Sequence, residues 1–145
     1  MNIKSIALLS ALLLSACSDH PQGREDKKTR HYDEKTLAMG ELIYNSHCAT
    51  CHGYKGEGKT GWQQPGPDGK LPPPPLDGNG RTWRLSSTQI QQFIRLGSPD
   101  GRGNMPAWQG KLSEHEISAV AVWITSLWSD QVYLDWQTKT EHGTQ

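Results

Sequence analysis

Apolar side chains recur at helical spacing in three stretches of this 145-residue chain, which predicts a helical protein. The first stretch lies near Thr36–His47, and its apolar face leads directly into Cys48. The second contains Ile90, Phe93 and Ile94. The third is the most regular, with the stripe Ile117, Val120, Ala121, Ile124, Leu127 and Trp128.

The second and third helices have recognisable starts. Ser86 with Gln89, and Ser113 with Glu116, are capping boxes, in which the two side chains satisfy each other's free backbone amides. Gly97 is expected to end the second helix. A shorter helix that packs back on the body is expected beyond the third, on the apolar residues Val132, Tyr133 and Trp136.

The segment Gly53–Arg84, between the first two helices, is predicted to be loop throughout. Closely spaced glycines and the proline run at 72–75 leave no room for a regular element. The chain has no strand pattern and no internal repeat. The predicted fold class is therefore all-α, with three main helices joined by long loops.

The N-terminus has the pattern of an export signal. Lys4 precedes an apolar run, Ile6–Leu14, that is too short to span a bilayer. The sequence Leu14-Ser15-Ala16-Cys17 resembles the lipobox of bacterial lipoproteins, in which the cysteine is acylated and becomes the first mature residue. An ordinary signal peptidase site beside a free thiol is the alternative. Acylation at Cys17 would anchor the protein to a membrane without spanning it.

Four regions follow from this pattern. Residues 1–16 are the lipoprotein signal peptide, and 17–35 form a charged tether that lacks aliphatic residues after Cys17 and cannot bury enough surface to fold. Residues 36–136 form one domain, and 137–145 are a polar tail. The mixed signs of the tether's charges and the exported location argue against nucleic-acid binding.

Cys48-Ala49-Thr50-Cys51-His52 is the motif that carries chemistry. In CxxCH, two thiols can add covalently to one haem while the following imidazole ligates its iron. A thioredoxin-like redox pair or half a zinc site would share the CxxC, but the first expects a βαβ setting and the second two more ligands. One covalently bound haem c is therefore predicted, and its apolar bulk would supplement a chain that is only 34% apolar, with 15 glycines and 9 prolines.

Met105 is the predicted distal ligand of the iron. Met1 is lost with the signal, and Met39 lies on the first helix, where a core side chain is the better interpretation. Met105 precedes Pro106 in a glycine-rich loop, which favours an extended backbone. A gap-filling methionine under a loop is the alternative. The histidines other than His52 lie where solvation is expected.

The domain resembles a monohaem cytochrome c of class I over about Thr36–Trp128. The resemblance rests on the CxxCH, on the final amphipathic helix, and on the motifs Gly40-x3-Tyr44-x3-Cys48, Pro74-Pro75-Leu76 and Asn104-Met105-Pro106-Ala107-Trp108. It implies the cytochrome c fold, in which helices and long loops wrap around one covalently bound haem. The inserted stretch Lys59–Lys70 and the tail after Trp128 depart from the family's minimal form.

The resemblance also implies roles for single residues. Gly40 would let an aromatic residue of the last helix, here Trp123, approach closely. The carbonyl of Pro74 would accept the Nδ1 proton of His52 and fix its tautomer. Further haem contacts fall on Leu76 and, as propionate donors, on Arg81 and Trp83. A stiff polyproline spacer at 72–75 and ordinary surface or packing roles for Arg81 and Trp83 are the alternatives.

The predicted function is one-electron transfer, without enzymatic activity, on a bacterial membrane facing the periplasm. With His52 and Met105 on the iron, no position is left for substrate. The alternatives are a haem enzyme or sensor with a displaceable methionine, and a fixed electron-entry subunit of a respiratory or copper-containing complex. Donor and acceptor are expected to be redox proteins, with an acidic partner docking near Arg102 because residues 71–111 carry a basic surplus.

Overall fold

The structure is a computed structural model that describes residues 30–141. The predicted signal peptide, Cys17 and most of the predicted tether lie outside this range, as do residues 142–145. The fold below is that of the unit that begins at His31. No helix among the described residues is long and apolar enough to cross a membrane.

Five α-helices form the described part of the chain. They are α1 (Glu34–His47), α2 (Ala49–His52), α3 (Ser87–Leu96), α4 (Glu114–Ser126) and α5 (Asp130–Trp136). A short 3-10 helix spans Thr82–Arg84, and a π-helical turn spans Gln137–Glu141. Between residues 30 and 141 the only β-type pairings are two isolated bridges, so the all-α prediction is confirmed there.

The predicted helices are present, with small shifts at their ends. Both capping boxes form as expected, on Ser86 and on Ser113, and Gly97 is the C-cap of α3. Helix α1 begins at Glu34, two residues before the predicted start, because Asp33 caps it by accepting from the Thr36 amide.

The prediction that residues 53–84 are loop throughout was wrong at its end. The 3-10 helix over Thr82–Arg84 forms where the glycine-rich stretch has ended, and the Leu85 amide closes it on the Thr82 carbonyl, 3.0 Å away. Helix α2 was not predicted either. Four residues are too few to produce a periodic pattern.

The core is built where α1 crosses α4. Tyr44, Ile117 and Val120 are the largest fully buried side chains, and the inner face of α3 adds Ile90 and Ile94. The apolar stripe predicted on the third helix faces this core, except that Leu127 remains partly exposed.

Gly40 permits the close crossing of α1 and α4. A Cβ atom at Gly40 would lie 2.1 Å from the carbonyl oxygen of Ala119 and 2.9 Å from the Cβ of Trp123. The approach predicted for Trp123 is therefore present, but the nearer neighbour is the backbone of α4. No other residue fits at this position without moving a helix.

Two tryptophans tie the C-terminal part of the chain to the long loop. Trp128 Nε1 donates to the Leu76 carbonyl at 2.7 Å, and Trp136 Nε1 donates to the Leu85 carbonyl at 2.7 Å. The two indoles also meet edge to face, 5.3 Å apart. Helix α5 thus packs back on the body, as predicted, and fixes the loop that passes the site.

Candidate functional site

Helix α2 brings the whole CxxCH motif onto a single turn. Cys48 is its N-cap residue, and the amides of Cys51 and His52 both donate to the Cys48 carbonyl, at 3.1 and 2.9 Å. Cys48 is half-buried, Cys51 is exposed, and both thiols are free. The two thiols and the imidazole therefore lie on one short element of the chain.

His52 is buried and already oriented. Its Nδ1 lies 3.0 Å from the carbonyl oxygen of Pro74, so Nδ1 carries the proton and donates it there. This leaves Nε2 as the nitrogen that can ligate a metal. Burial lowers the pKa of His52, with the Pro74 carbonyl acting in the opposite direction, and so favours the neutral imidazole that metals bind.

The Cys48 thiol is kept protonated in the absence of a cofactor. Burial, and secondarily the neighbouring Cys51, raises its pKa to about 11. A buried thiol of this kind is not a reactive redox cysteine, whose pKa would be depressed.

The segment that carries Pro74 is held on both sides. Upstream, the Lys59 amide donates to the Pro73 carbonyl at 2.9 Å. Downstream, the amide of the buried Leu76 donates to the Gly56 carbonyl at 2.6 Å, and the Leu76 carbonyl accepts a hydrogen bond from the indole of Trp128. The carbonyl that faces His52 is thus fixed by contacts outside the proline run, so a stiff spacer alone does not describe this segment.

Tyr44 fixes the end of α2. Its hydroxyl, in the core between α1 and α4, donates to the Gly53 carbonyl at 2.8 Å. Burial, followed by the nearby Cys48, raises the pKa of Tyr44, so the hydroxyl remains a donor at physiological pH. The residue that follows His52 is therefore tied to the first helix.

Met105 lies on the loop that follows α3. Its side chain is partly buried and packs against the same core cluster as Cys48. Its carbonyl accepts from the Ser98 amide at 3.0 Å. Gly97 makes this loop possible, because its φ is +68° and a Cβ there would lie 2.3 Å from the Met105 carbonyl oxygen.

The other residues predicted at the site have contacts of their own. The exposed Arg81 guanidinium lies over the ring of Trp62, 5.4 Å from its centre. Trp83 is partly buried, with Arg84 and Lys139 over its ring at 5.3 and 5.7 Å. These contacts are compatible with hydrogen bonds from Arg81 and Trp83 to a bound group.

Competing metal ligands are not assembled in the described part of the chain. Between residues 30 and 141, no three His, Cys, Asp or Glu residues group as a metal site. His47 is exposed and stacks near Trp108, with 4.9 Å between ring centres, and His115 is exposed. Met39 packs against the core, as predicted.

The residues at this site fit a covalently attached haem. The donor set consists of two free thiols, one oriented imidazole with a committed Nδ1, and a thioether on the rim of the same core. That set suits thioether attachment with His and Met ligation of iron, and it is too small for a protein-only zinc site.

The predicted basic docking surface is weaker than its sequence suggests. Arg102 is paired with Asp100, with 2.6 Å between Nε and Oδ2, and the Arg102 side chain is 78% exposed. Arg95 is likewise paired, with Glu114. Lys111 lies over Trp108. Asp100 already counts against the basic surplus of residues 71–111, so the pairing of Arg95 with Glu114 is what reduces that surplus further.

Asp68, Lys70 and Asn104 are the residues that sequence reasoning missed. Asp68 accepts from the side-chain amide of Asn104, next to Met105, at 3.0 Å across 36 positions of sequence. The Pro67-Asp68-Gly69 sequence signals a turn. Nothing in it could identify the partner of that turn.

Comparison with known proteins places the chain among cytochromes. Residues 35–124 match the family described as cytochrome c oxidase, cbb3-type, subunit III. Cytochrome c-551 of Bacillus subtilis (strain 168) is 28% identical over 125 residues, which cover 86% of this chain and 94% of that protein. Cytochrome c6 of Chlorolobion braunii is 33% identical over 63% of this chain and 90% of that protein.

A third relative is much longer than this chain. The cbb3-type cytochrome c oxidase subunit FixP of Bradyrhizobium diazoefficiens is 32% identical over 90 residues, which cover 62% of this chain but only 27% of FixP. No solved structure matches the chain.

Proposed function

This chain belongs to the cytochrome c family, because residues 35–124 match the domain of cbb3-type oxidase subunit III, and we propose which of its residues hold the haem. The protein is a c-type cytochrome with one covalently bound haem c, and it serves electron transfer. In the proposal, Cys48 and Cys51 form the two thioethers and His52 is the proximal ligand of the iron. Met105 is the distal ligand.

One observation carries this proposal. His52 is buried, its pKa is lowered by that burial, and its Nδ1 is hydrogen-bonded to Pro74, next to two free thiols of the same motif. A histidine without a ligand role, packed in a protein core, would also be buried. The combination with two unpaired cysteines at this spacing is expected only where Nε2 and both sulfurs act on one group.

The bound haem supplies an iron that exchanges a single electron between its ferric and ferrous forms. The chain's own residues orient it and exclude water. The Pro74 carbonyl holds the Nδ1 proton and raises the basicity of His52, while Met105 keeps the distal position from solvent and substrate. The apolar core against which Met105 packs, which includes Ile90 and Ile94, would keep the dielectric around the group low.

Leu76, Arg81 and Trp83 are proposed as supporting contacts of the haem. Leu76 is buried and adjoins the Pro74 segment, which suits an apolar wall. Arg81 and Trp83 follow it and carry the donors that anionic propionates require. The stacking of Arg81 on Trp62 is compatible with this role, because a guanidinium can use its face and its edge at once.

A lipid anchor at Cys17 and a periplasmic location complete the proposal. The support is the lipobox-like sequence alone. The test is Cys17→Ser. This variant should move the protein from the detergent-soluble membrane fraction to the aqueous fraction, with an unchanged haem spectrum. Wild-type protein recovered without detergent would contradict the anchor.

A fixed subunit that feeds electrons into a larger oxidase is the second candidate. The match to the oxidase subunit family and the similarity to FixP favour it. Co-purification separates the two candidates. A carrier should be released from detergent-solubilised membranes as a lone chain, whereas a subunit should migrate with a stable complex.

Electron transfer itself is tested by redox titration of the purified holoprotein. A carrier should titrate reversibly as a one-electron couple, and its ferrous form should not bind carbon monoxide at neutral pH because Met105 occupies the position. Rapid carbon monoxide binding would contradict the carrier and favour a ligand sensor or an enzyme.

A further inference from the structure

The inserted loop of this chain is joined to the loop that carries Met105. We call residues 66–71 the strap and residues 98–106 the Met105 loop. Asn104 Nδ2 donates to Asp68 Oδ2 at 3.0 Å, and the Leu71 amide donates to the Arg102 carbonyl at 2.7 Å. The Lys70 ammonium donates to the Gly101 carbonyl.

The strap is itself a closed turn rather than a loose excursion. The Gly69 amide donates to the Gly66 carbonyl at 2.9 Å, and the Gly66 amide donates to the Lys70 carbonyl at 2.8 Å. Asp68 Oδ1 accepts the Lys70 amide at 3.0 Å, which leaves Oδ2 for Asn104. The carboxylate therefore holds its own turn with one oxygen and the Met105 loop with the other.

Among the described residues, the strap makes the only hydrogen bonds that join residues 98–104 to residues outside the Met105 loop. The hydrogen bonds of Gly101 and Arg102 as donors stay within the loop, on Ser98 and Asp100. After Met105, the chain is held differently, because Pro106 lacks an N–H and the Trp108 amide donates to the Ile94 carbonyl at 3.2 Å. The strap is therefore bonded to the segment that leads into Met105.

We propose that the strap holds the Met105 loop closed, with Asp68 as the positioning residue, and so limits how often the distal position opens to solvent ligands. The inference rests on the proposed ligation by Met105. Each contact is exposed and individually weak, but the three act together on residues 101–104, the segment that directly precedes Met105.

The strap also accounts for the inserted stretch between Lys59 and Lys70. At its start the Lys59 amide is tied to the Pro73 carbonyl, and Trp62 lies against Arg81. The insertion therefore runs from the proline segment, whose Pro74 faces His52, to the loop of the proposed distal ligand. A carrier benefits from this arrangement because a closed distal position suppresses reactions with small ligands.

The test uses the oxidised full-length holoprotein and imidazole as the competing ligand. At saturating imidazole, the rate at which the sulfur-to-iron charge-transfer band disappears reports loop opening. Asp68→Ala should raise that rate by about three- to tenfold, as expected for the loss of one net hydrogen bond. In Asn104→Ala the same change at Asp68 should raise the rate less than it does in wild type, because the contact between the two residues is already lost.

Asp77→Ala is the matched control. Asp77 accepts from the amide and side chain of Asn79, both at 3.0 Å, so it makes the same pair of contacts as Asp68 but within its own turn. This variant should change the imidazole rate by less than about twofold. Equal rates for Asp68→Ala and Asp77→Ala would overturn the proposal.

Hydrogen exchange tests the strap contacts independently of which residue ligates the iron. The Leu71 amide, which donates to Arg102, should exchange faster in Asp68→Ala than in wild type, whatever ligates the iron. Unchanged exchange would overturn the strap, and faster exchange with an unchanged imidazole rate would overturn its action on the ligand. A wild-type protein without the charge-transfer band would instead contradict ligation by Met105, and the exchange comparison would then decide the strap alone.

Discussion

The two sides of the proposed haem site are built by opposite means. On the proximal side, residues 48–52 lie on one helical turn, and the imidazole is buried and hydrogen-bonded to Pro74. On the distal side, Met105 stands alone on a loop whose position depends on Ser98, on Gly97 and on the strap. The proximal side is a helical turn with a buried imidazole oriented by one carbonyl, whereas the distal side is a loop held in part by exposed contacts to a remote segment.

This difference predicts two kinds of sensitivity. Changes on the proximal side should abolish attachment of the haem or destabilise the whole fold, because α1, α2 and α4 share the core. Changes on the distal side should alter ligand exchange and potential while the fold persists, because the loop contacts are exposed.

Loss of both attachment cysteines should have the largest effect. Cys48→Ala combined with Cys51→Ala removes both sulfurs, so mass spectrometry of the denatured protein should show no haem adduct. Either single variant should retain one thioether and a covalent adduct. An adduct that persists in the double variant would contradict the proximal assignment.

Gly40→Ala should destabilise the protein by about 1–3 kcal/mol, as overpacking does at a tight contact. The added Cβ would lie 2.1 Å from the Ala119 carbonyl oxygen, which belongs to a helix backbone and cannot turn aside. The measurement is the midpoint of denaturant unfolding of the holoprotein. The exposed neighbour Glu41→Ala is the control and should stay within about 0.5 kcal/mol of wild type. Equal midpoints would mean that α1 and α4 separate more easily than their packing implies.

Trp128→Phe should cost about 1–3 kcal/mol, because the buried Leu76 carbonyl loses its indole donor at 2.7 Å. The charge-transfer band should persist, since this contact supports the Pro74 segment rather than the Met105 loop. Trp136→Phe removes a similar bond to Leu85 at a less buried site and should cost less. A lost band in Trp128→Phe would show that the two sides are not separable.

The smallest effect concerns the start of α1. Two hydrogen bonds to the Asp33 carboxylate, the stronger effect from the Thr36 hydroxyl and the next from the Thr36 amide, lower the pKa of Asp33 below its ordinary 3.8. The stabilisation is therefore present above pH 3.8 and is lost as the pH falls through the lowered value. Asp33→Ala should melt below wild type at neutral pH, with a gap that closes in acid, whereas Asp33→Asn, which still caps, should show no such pH dependence. A pH-independent gap for Asp33→Ala would contradict the charged cap.

The sequence predicted what is encoded within a few residues. The helix caps at Ser86 and Ser113 are hydrogen bonds over three positions, and the CxxCH motif needs only five. The family resemblance supplied the contact between His52 and Pro74, 22 positions apart. The 3-10 helix at Thr82–Arg84 was missed because three residues carry no periodicity.

The strap could not have been predicted from the sequence alone. Its contacts join residues 31 to 36 positions apart, two through exposed polar side chains and one between backbone groups, and none of them follows an apolar spacing. The pairing of Arg102 with Asp100, on the side where docking is predicted, was not predicted either. Asp100 is only two positions away, but sequence proximity does not show that the two side chains pair.

The sulfur-to-iron charge-transfer band of the oxidised holoprotein reports whether Met105 ligates the iron. We expect the band in wild type and in Met39→Leu, because Met39 is a core side chain and this swap conserves volume. We expect it to be absent in Met105→His, together with a lower potential, because imidazole replaces thioether. A wild type without the band, or a Met105→His variant that retains it, would contradict the distal assignment on which the account rests.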